Sequence, residues 1–223
     1  MNVVFPPLYA IIDPTLLKTS ELSFAESMAE SGVELLQYRN KHASTRQLFE
    51  MSNLLSHRLS ALGRAGARVM RFIVNDRPDI ALLVGAGGVH VGQQDLGVEQ
   101  ARVIVGREPW VGVSTHTLAQ VEAADRTSAD YLAFGPVFAT ATKEQADPVV
   151  GLRLLAEARA RTSKPLVAIG GITLERAAET YRAGADSLAV ARDLLAAPDP
   201  PAQARAFLEE AARAGRSEGP PRF

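Results

Sequence analysis

Eight short apolar runs recur along the chain: LYAIID (8–13), LLQYRN (35–40), RFIVND (71–76), GVHVG (88–92), WVGVST (110–115), YLAFGPV (131–137), PLVAIGG (165–171) and SLAVAR (187–192). Each is nearly continuous in apolar residues instead of alternating. A strand with one wet face alternates, so these read as strands covered on both faces, as in a parallel sheet overlaid by its own crossover helices. Helical patterns fill the gaps. Ser23 with Glu26, Ser44 with Gln47 and Thr117 with Gln120 have the spacing of reciprocal N-terminal caps. Pro78 suits the first turn of a helix, and Gly184, after ERAAETYRA, suits a helix end. Eight strand–helix units in 223 residues predict a single-domain (β/α)8 TIM barrel, an α/β fold; a doubly wound open sheet is the alternative. No linker rich in Gly, Pro or Ser divides the chain. Residues 1–212 are therefore read as one barrel, and 213–223, ending AGRSEGPPRF, as a frayed tail.

Composition narrows the function. With 47% apolar residues the chain has ample material for a large core. A net charge of −1 supplies no global field toward nucleic acid or an anionic membrane. Cysteine is absent, which removes disulfides and thiolate metal sites and suits a reducing cytosol. The start MNVVFPPLYAIID has no basic segment before its apolar residues, and no run reaches the roughly 18 residues of a membrane span. A cytoplasmic protein is expected, with small-molecule partners and neither nucleic acid nor membrane; a homo-oligomer is left open.

Several runs end on polar residues. In FIVNDRPDI an apolar strand gives way to Asn75 and Asp76, and Pro78 stops it. At the carboxyl end of a barrel strand such residues face the active-site mouth, not the core. Strand two ends in QYRNK, where Gln37, Arg39 and Lys41 stand two apart and share a side, making an anion site or a solvated edge. Past strand four comes Asp95, which either shares a hard cation with Asp76 or serves as a turn or cap residue. Mg2+ suits the first reading, since it takes one or two carboxylates together with substrate phosphates and water. Ser114 and His116 close strand five. The long connection after strand six carries Thr140, Thr142 and Lys143. Gly170 and Gly171 after strand seven permit close backbone approach to a phosphate. His90 sits inside a strand and reads as a packed core residue ahead of a base, and His42 and His57 read as helix-surface residues. No Ser-His-Asp spacing, His-rich metal motif or Walker loop occurs. Cations, two carboxylates and neutral donors on one rim suit the departure of a diphosphate, by electrostatic stabilisation.

These residues resemble the thiamine phosphate synthase family from Leu8 to about Leu195. QYRNK is similar to that family's Q-x-R-x-K, and VNDRPDIALLVGAGGVHVGQQDL to its N-D…G-V-H-V-G-Q-x-D-L block; VGVSTHT, GPVFATATK and VAIGGIT follow in order. The resemblance implies a (β/α)8 transferase that joins hydroxymethylpyrimidine diphosphate to hydroxyethylthiazole phosphate, releasing diphosphate. It implies that Gln37, Tyr38, Arg39, Asn40, Lys41, Asn75, Ser114 and Lys143 hold the pyrimidine diphosphate. Of these, Arg39, Lys41, Ser114 and Lys143 would act on the reacting groups. It further implies that Asp76 and Asp95 bind Mg2+, and that Thr140, Thr142, Gly171, Ala191 and Arg192 hold the thiazole phosphate. Ala191-Arg192 replaces the family's usual aliphatic-Ser pair, so Arg192 either adds a cation or points outward. Ala139 replaces a proline common in the strand-six loop. A thiazole tautomerase with the same barrel, a non-catalytic phosphate-binding barrel and a phosphosugar isomerase are the competing readings. Lys41, Asp76, Asp95 and the TATK run favour the synthase over the tautomerase, and the isomerase lacks a convincing acid–base pair.

Overall fold

A computed structural model describes residues 5–66, 68–140 and 148–214. Each of the eight apolar runs contains a strand: β1 (Leu8–Ile12), β2 (Leu35–Tyr38), β3 (Arg71–Asn75), β4 (Gly88–Val91), β5 (Trp110–Thr115), β6 (Tyr131–Phe134), β7 (Leu166–Ile169) and β8 (Ser187–Val190). They pair in parallel in chain order, and β8 returns to β1 with Leu8 opposite Leu188, so the sheet closes. Closure excludes the open-sheet alternative. Most strands stop short of the apolar runs that announced them, and residues at the ends of those runs, among them Asp13, Arg39, Asp76 and Gly92, line the mouth of the barrel.

Around the barrel lie α1 (Glu21–Glu30), α2 (Thr45–Arg64), α3 (Pro78–Leu83), α4 (Val98–Val105), α5 (Leu118–Asp125), α6 (Gly151–Arg159), α7 (Leu174–Arg182), α8 (Arg192–Leu195) and α9 (Pro200–Arg213), with one 3-10 turn at Pro14–Leu16. Ser44 and Thr117 each form the reciprocal cap that their spacing predicts. The Ser23 expectation is corrected. The N-cap of α1 is Ser20, whose hydroxyl accepts from the Ser23 N–H, so the helix starts one turn earlier. Pro78 is the first residue of α3, and Gly184, at φ +104°, follows the end of α7. The final helix runs one residue beyond the expected boundary at 212, and the rest of the expected tail, 215–223, lies outside the described residues.

The period of two along each strand divides the core. Tyr9, Ile11, Leu35, Ile73, Tyr131, Ala133, Val167 and Ala189 fill the barrel interior. The alternate residues, among them Leu8, Ile12, Leu36, Phe72, Val89, Leu132 and Leu188, face the helices. At the opposite end from the mouth, two junctions repeat one device. Asp130 accepts from the N–H of Val111 at 2.6 Å and pairs with Arg102; Asp186 accepts from the N–H of Leu166 at 2.8 Å and pairs with Arg159. In each case an aspartate just before one strand caps the start of its neighbour and ties in a helix. Such contacts at the bottom of a barrel stabilise it and leave the top for chemistry.

Candidate active site

A cavity of about 500 Å3 opens at the carboxyl ends of the strands, and every strand or the loop after it contributes to its lining. Gln37, Arg39 and Lys41 line it together, as their shared parity predicts. Each has a definite partner. Gln37 Nε2 donates to Tyr9 Oη at 2.6 Å, Arg39 Nη1 meets Asp13 Oδ2 at 2.5 Å, and Lys41 Nζ lies 3.0 Å from Asp76 Oδ2. Tyr38 and Asn40 do not line the cavity. They occupy the alternate parity, so the strand turns them away from the cavity. Tyr38 is buried against the helices, while Asn40 donates to its hydroxyl and caps the N–H groups of His42 and Ala43. His42 therefore belongs to the turn before α2, not to a helix surface; His57 is exposed on α2.

Asp76 has φ +62°, and it is the sole non-glycine residue with positive φ among the described residues. Aspartate tolerates this region better than most residues do. The Asp76 N–H donates to the His90 carbonyl at 2.7 Å, and the chain then turns into α3. Asp95, exposed on the loop after β4, accepts from the Gly92 N–H at 2.8 Å and stands within hydrogen-bond reach of Asp76. It is not the cap of α4, a position held by Gly97. Burial pushes the Asp76 carboxyl above the usual carboxylate range; the Lys41 ammonium pulls it down, and Asp95 pushes it up again. Among the described residues no cluster of three or more His, Cys, Asp or Glu side chains could hold a metal. Two neighbouring carboxylates are the donor set expected for Mg2+, which keeps several waters and takes further oxygens from a substrate phosphate.

Ser114 lines the cavity and contacts His90 Nε2 at 2.9 Å. His90 is buried and packed, as expected, but it also lines the floor of the cavity. His116 lines it too, its Nδ1 donating to the Gly135 carbonyl at 2.6 Å. On the far side, Gly170 and Gly171 have φ +96° and +63°. A Cβ on Gly170 would stand 2.4 Å from Pro136 Cβ, and one on Gly171 2.5 Å from the Ala139 oxygen, so backbone alone fits there. Arg176 Nη1 donates to the Gly171 carbonyl at 2.6 Å, and its guanidinium lies 4.6 Å over the Phe138 ring. Thr140, Ala191 and Arg192 line this side, so Arg192 borders the cavity instead of the outer wall. Thr142 and Lys143 lie outside the described residues.

Four contributors escaped the sequence reading: Tyr9, Asp13, Arg176 and, beneath the floor, Tyr131. Asp13 was within reach, because it ends the first apolar run just as Asp76 ends the third. Arg176 gave no signal, since a cation in the first turn of a helix looks like solvated surface.

The chain matches the family model described as thiamine monophosphate synthase over residues 8–194. It is 48% identical over 211 residues to the thiamine-phosphate synthase of Koribacter versatilis, covering 92% of this chain and 95% of that one. It is 45% identical to the enzyme of the same name from Chloroflexus aurantiacus, covering 89% of each. Among solved structures, a thiamine phosphate pyrophosphorylase from Pyrococcus furiosus superposes with a TM-score of 0.82 at 30% identity, covering 93% of this chain and 96% of that one. No helix among the described residues is long and apolar enough to cross a membrane.

Proposed function

The chain belongs to the thiamine monophosphate synthase family, whose members are transferases, and from that premise we propose that it condenses hydroxymethylpyrimidine diphosphate with hydroxyethylthiazole phosphate. The observation that carries the reading is the meeting of Arg39, Lys41, Asp76 and Asp95 on one cavity mouth, with Ser114 below them and the Gly170–Gly171 turn opposite.

The first bond to break joins the pyrimidine methylene carbon to the diphosphate oxygen, and the electron pair leaves with that oxygen. Arg39 and Lys41 offset the negative charge that develops there; Lys143, the third cation that the family resemblance implies, lies outside the described residues. Stabilisation of this kind needs donors fixed before the reaction. Asp13 fixes Arg39, and Asp76 fixes Lys41. Asp76 and Asp95 would hold Mg2+, which when bound supplies further positive charge beside the phosphate oxygens. Gln37, Asn75 and Ser114 orient the pyrimidine diphosphate. The thiazole phosphate is held across the cavity by Thr140 and the Gly171 N–H, with Ala191 and Arg192 at its edge; Thr142, given the same role by the family resemblance, lies outside the described residues. The thiazole nitrogen then gives its lone pair to the methylene cation and closes the new C–N bond.

Purified protein incubated with both phosphorylated halves and Mg2+ is expected to release thiamine monophosphate and diphosphate in equal amounts. Either half alone should give neither product, and chelation of the metal should stop turnover. Folded protein that forms no thiamine monophosphate, while shifting the double bond of a thiazole tautomer supplied alone, would reassign it to the tautomerase reading.

A further inference from the structure

Below the cavity floor a chain of hydrogen bonds crosses the barrel interior. Gln37 Nε2 meets Tyr9 Oη at 2.6 Å, and Tyr9 Oη meets Tyr131 Oη at 2.9 Å. Tyr131 Oη meets His90 Nδ1 at 3.1 Å, and His90 Nε2 meets Ser114 Oγ at 2.9 Å. The bonds link β2, β1, β6, β4 and β5, so the chain begins and ends on cavity-lining residues and passes through two phenols with no more than 1% of their surface exposed.

Each link fixes the direction of the next. An amide N–H can only donate, so Tyr9 accepts from Gln37. A buried hydroxyl left without an acceptor is costly, and Tyr131 Oη is the acceptor that Tyr9 has beside it. Tyr131 then gives its own proton to His90 Nδ1. A neutral imidazole that accepts on Nδ1 carries its proton on Nε2. That N–H donates to Ser114 Oγ, which turns the serine's proton away from His90 and toward the cavity. Burial raises the pKa of both phenols, so both keep the protons this order requires.

We propose that Gln37, Tyr9, Tyr131 and His90 form a one-way hydrogen-bond relay that fixes Ser114 as a donor toward the reactant, with Tyr131 and His90 as positioning residues. This rests on the reading that Ser114 meets the pyrimidine diphosphate. The relay supplies a preoriented hydroxyl where a free rotor would have to be ordered during the reaction. It moves no proton in turnover.

Two measurements test it. In the free wild-type protein, 15N-edited NMR of His90 is expected to show the neutral ring protonated on Nε2. A ring protonated on Nδ1, or on both nitrogens, overturns the relay. In the second measurement, Tyr131→Phe is expected to lower kcat/KM about tenfold, the scale of one well-placed hydrogen bond. In a Ser114→Ala background the same change is expected to cost less than about twofold, because the hydroxyl it orients is gone. Equal losses in both backgrounds reduce Tyr131 to packing and overturn the proposal. The NMR result needs no substrate. The predicted tautomer in a protein that turns over neither half would sink the assigned reaction and leave the relay standing.

Discussion

Replacing Asp76 by asparagine is expected to lower turnover by about a hundredfold or more, the scale of removing one group that stabilises charge in the transition state. Asparagine is the informative choice because it tolerates the positive φ that position 76 adopts and keeps an oxygen in the same place. Alanine at this site would lose the carboxylate and strain the turn together. Asp76→Asn removes only the charge, and two consequences follow from the geometry. Lys41, 3.0 Å away, loses the anion that fixes it, and, on the proposal that Asp76 and Asp95 hold Mg2+, the pair loses one of its two carboxylates. The Mg2+ concentration for half-maximal rate should therefore rise together with the fall in kcat. Steady-state rates across a Mg2+ titration separate the two effects. A variant within about threefold of wild type at every Mg2+ concentration would remove Asp76 from the machinery, since the loss of a working charge is far larger than that.

The barrel was legible because its physics is written locally. A strand covered on both faces must be apolar throughout, so β1 to β8 each appeared as a run, and caps such as Ser44 with Gln47 are satisfied within one helical turn. The rim was legible for the opposite reason. A polar residue at the end of an apolar run needs an explanation, and Asn75, Asp76, Gln37, Arg39 and Lys41 each drew attention in that way. What stayed hidden depends on pairing across the barrel. Asp13 and Arg39 are 26 residues apart, and Tyr9 and Tyr131 are 122 apart. Inside its run each tyrosine is one more large side chain, and only closure of the sheet turns the two hydroxyls toward each other. Tyr38 and Asn40 belong to the same motif, but alternation along the strand puts them on the other face, away from the cavity lining.

Gly112→Ala is expected to destabilise the fold by about 3 kcal/mol, the upper range for forcing extra volume into a packed core. Gly112 lies on β5 directly opposite Tyr131 on β6, and the phenol ring covers it: a Cβ there would stand 2.0 Å from Tyr131 Cζ and 2.4 Å from its Oη. The ring has nowhere to retreat. Its centroid is 5.2 Å from that of Phe5, 5.6 Å from that of His90 and 5.9 Å from that of Tyr9. The absent side chain at 112 is thus the space in which the buried tyrosine lies, and any shift of the ring moves its hydroxyl off Tyr9 and His90. Urea unfolding should show the lower midpoint. Tyr131→Leu placed in the Gly112→Ala background should cost less than it does alone, because the ring that the new methyl opposes has been removed. Strictly additive losses would mean that the ring does not lie across the glycine, since two residues in direct contact couple. Kinetics add a second axis. If the tyrosine only filled space, kcat/KM of the folded Gly112→Ala protein would be unchanged, whereas a ring that orients His90 should lose activity as it is displaced.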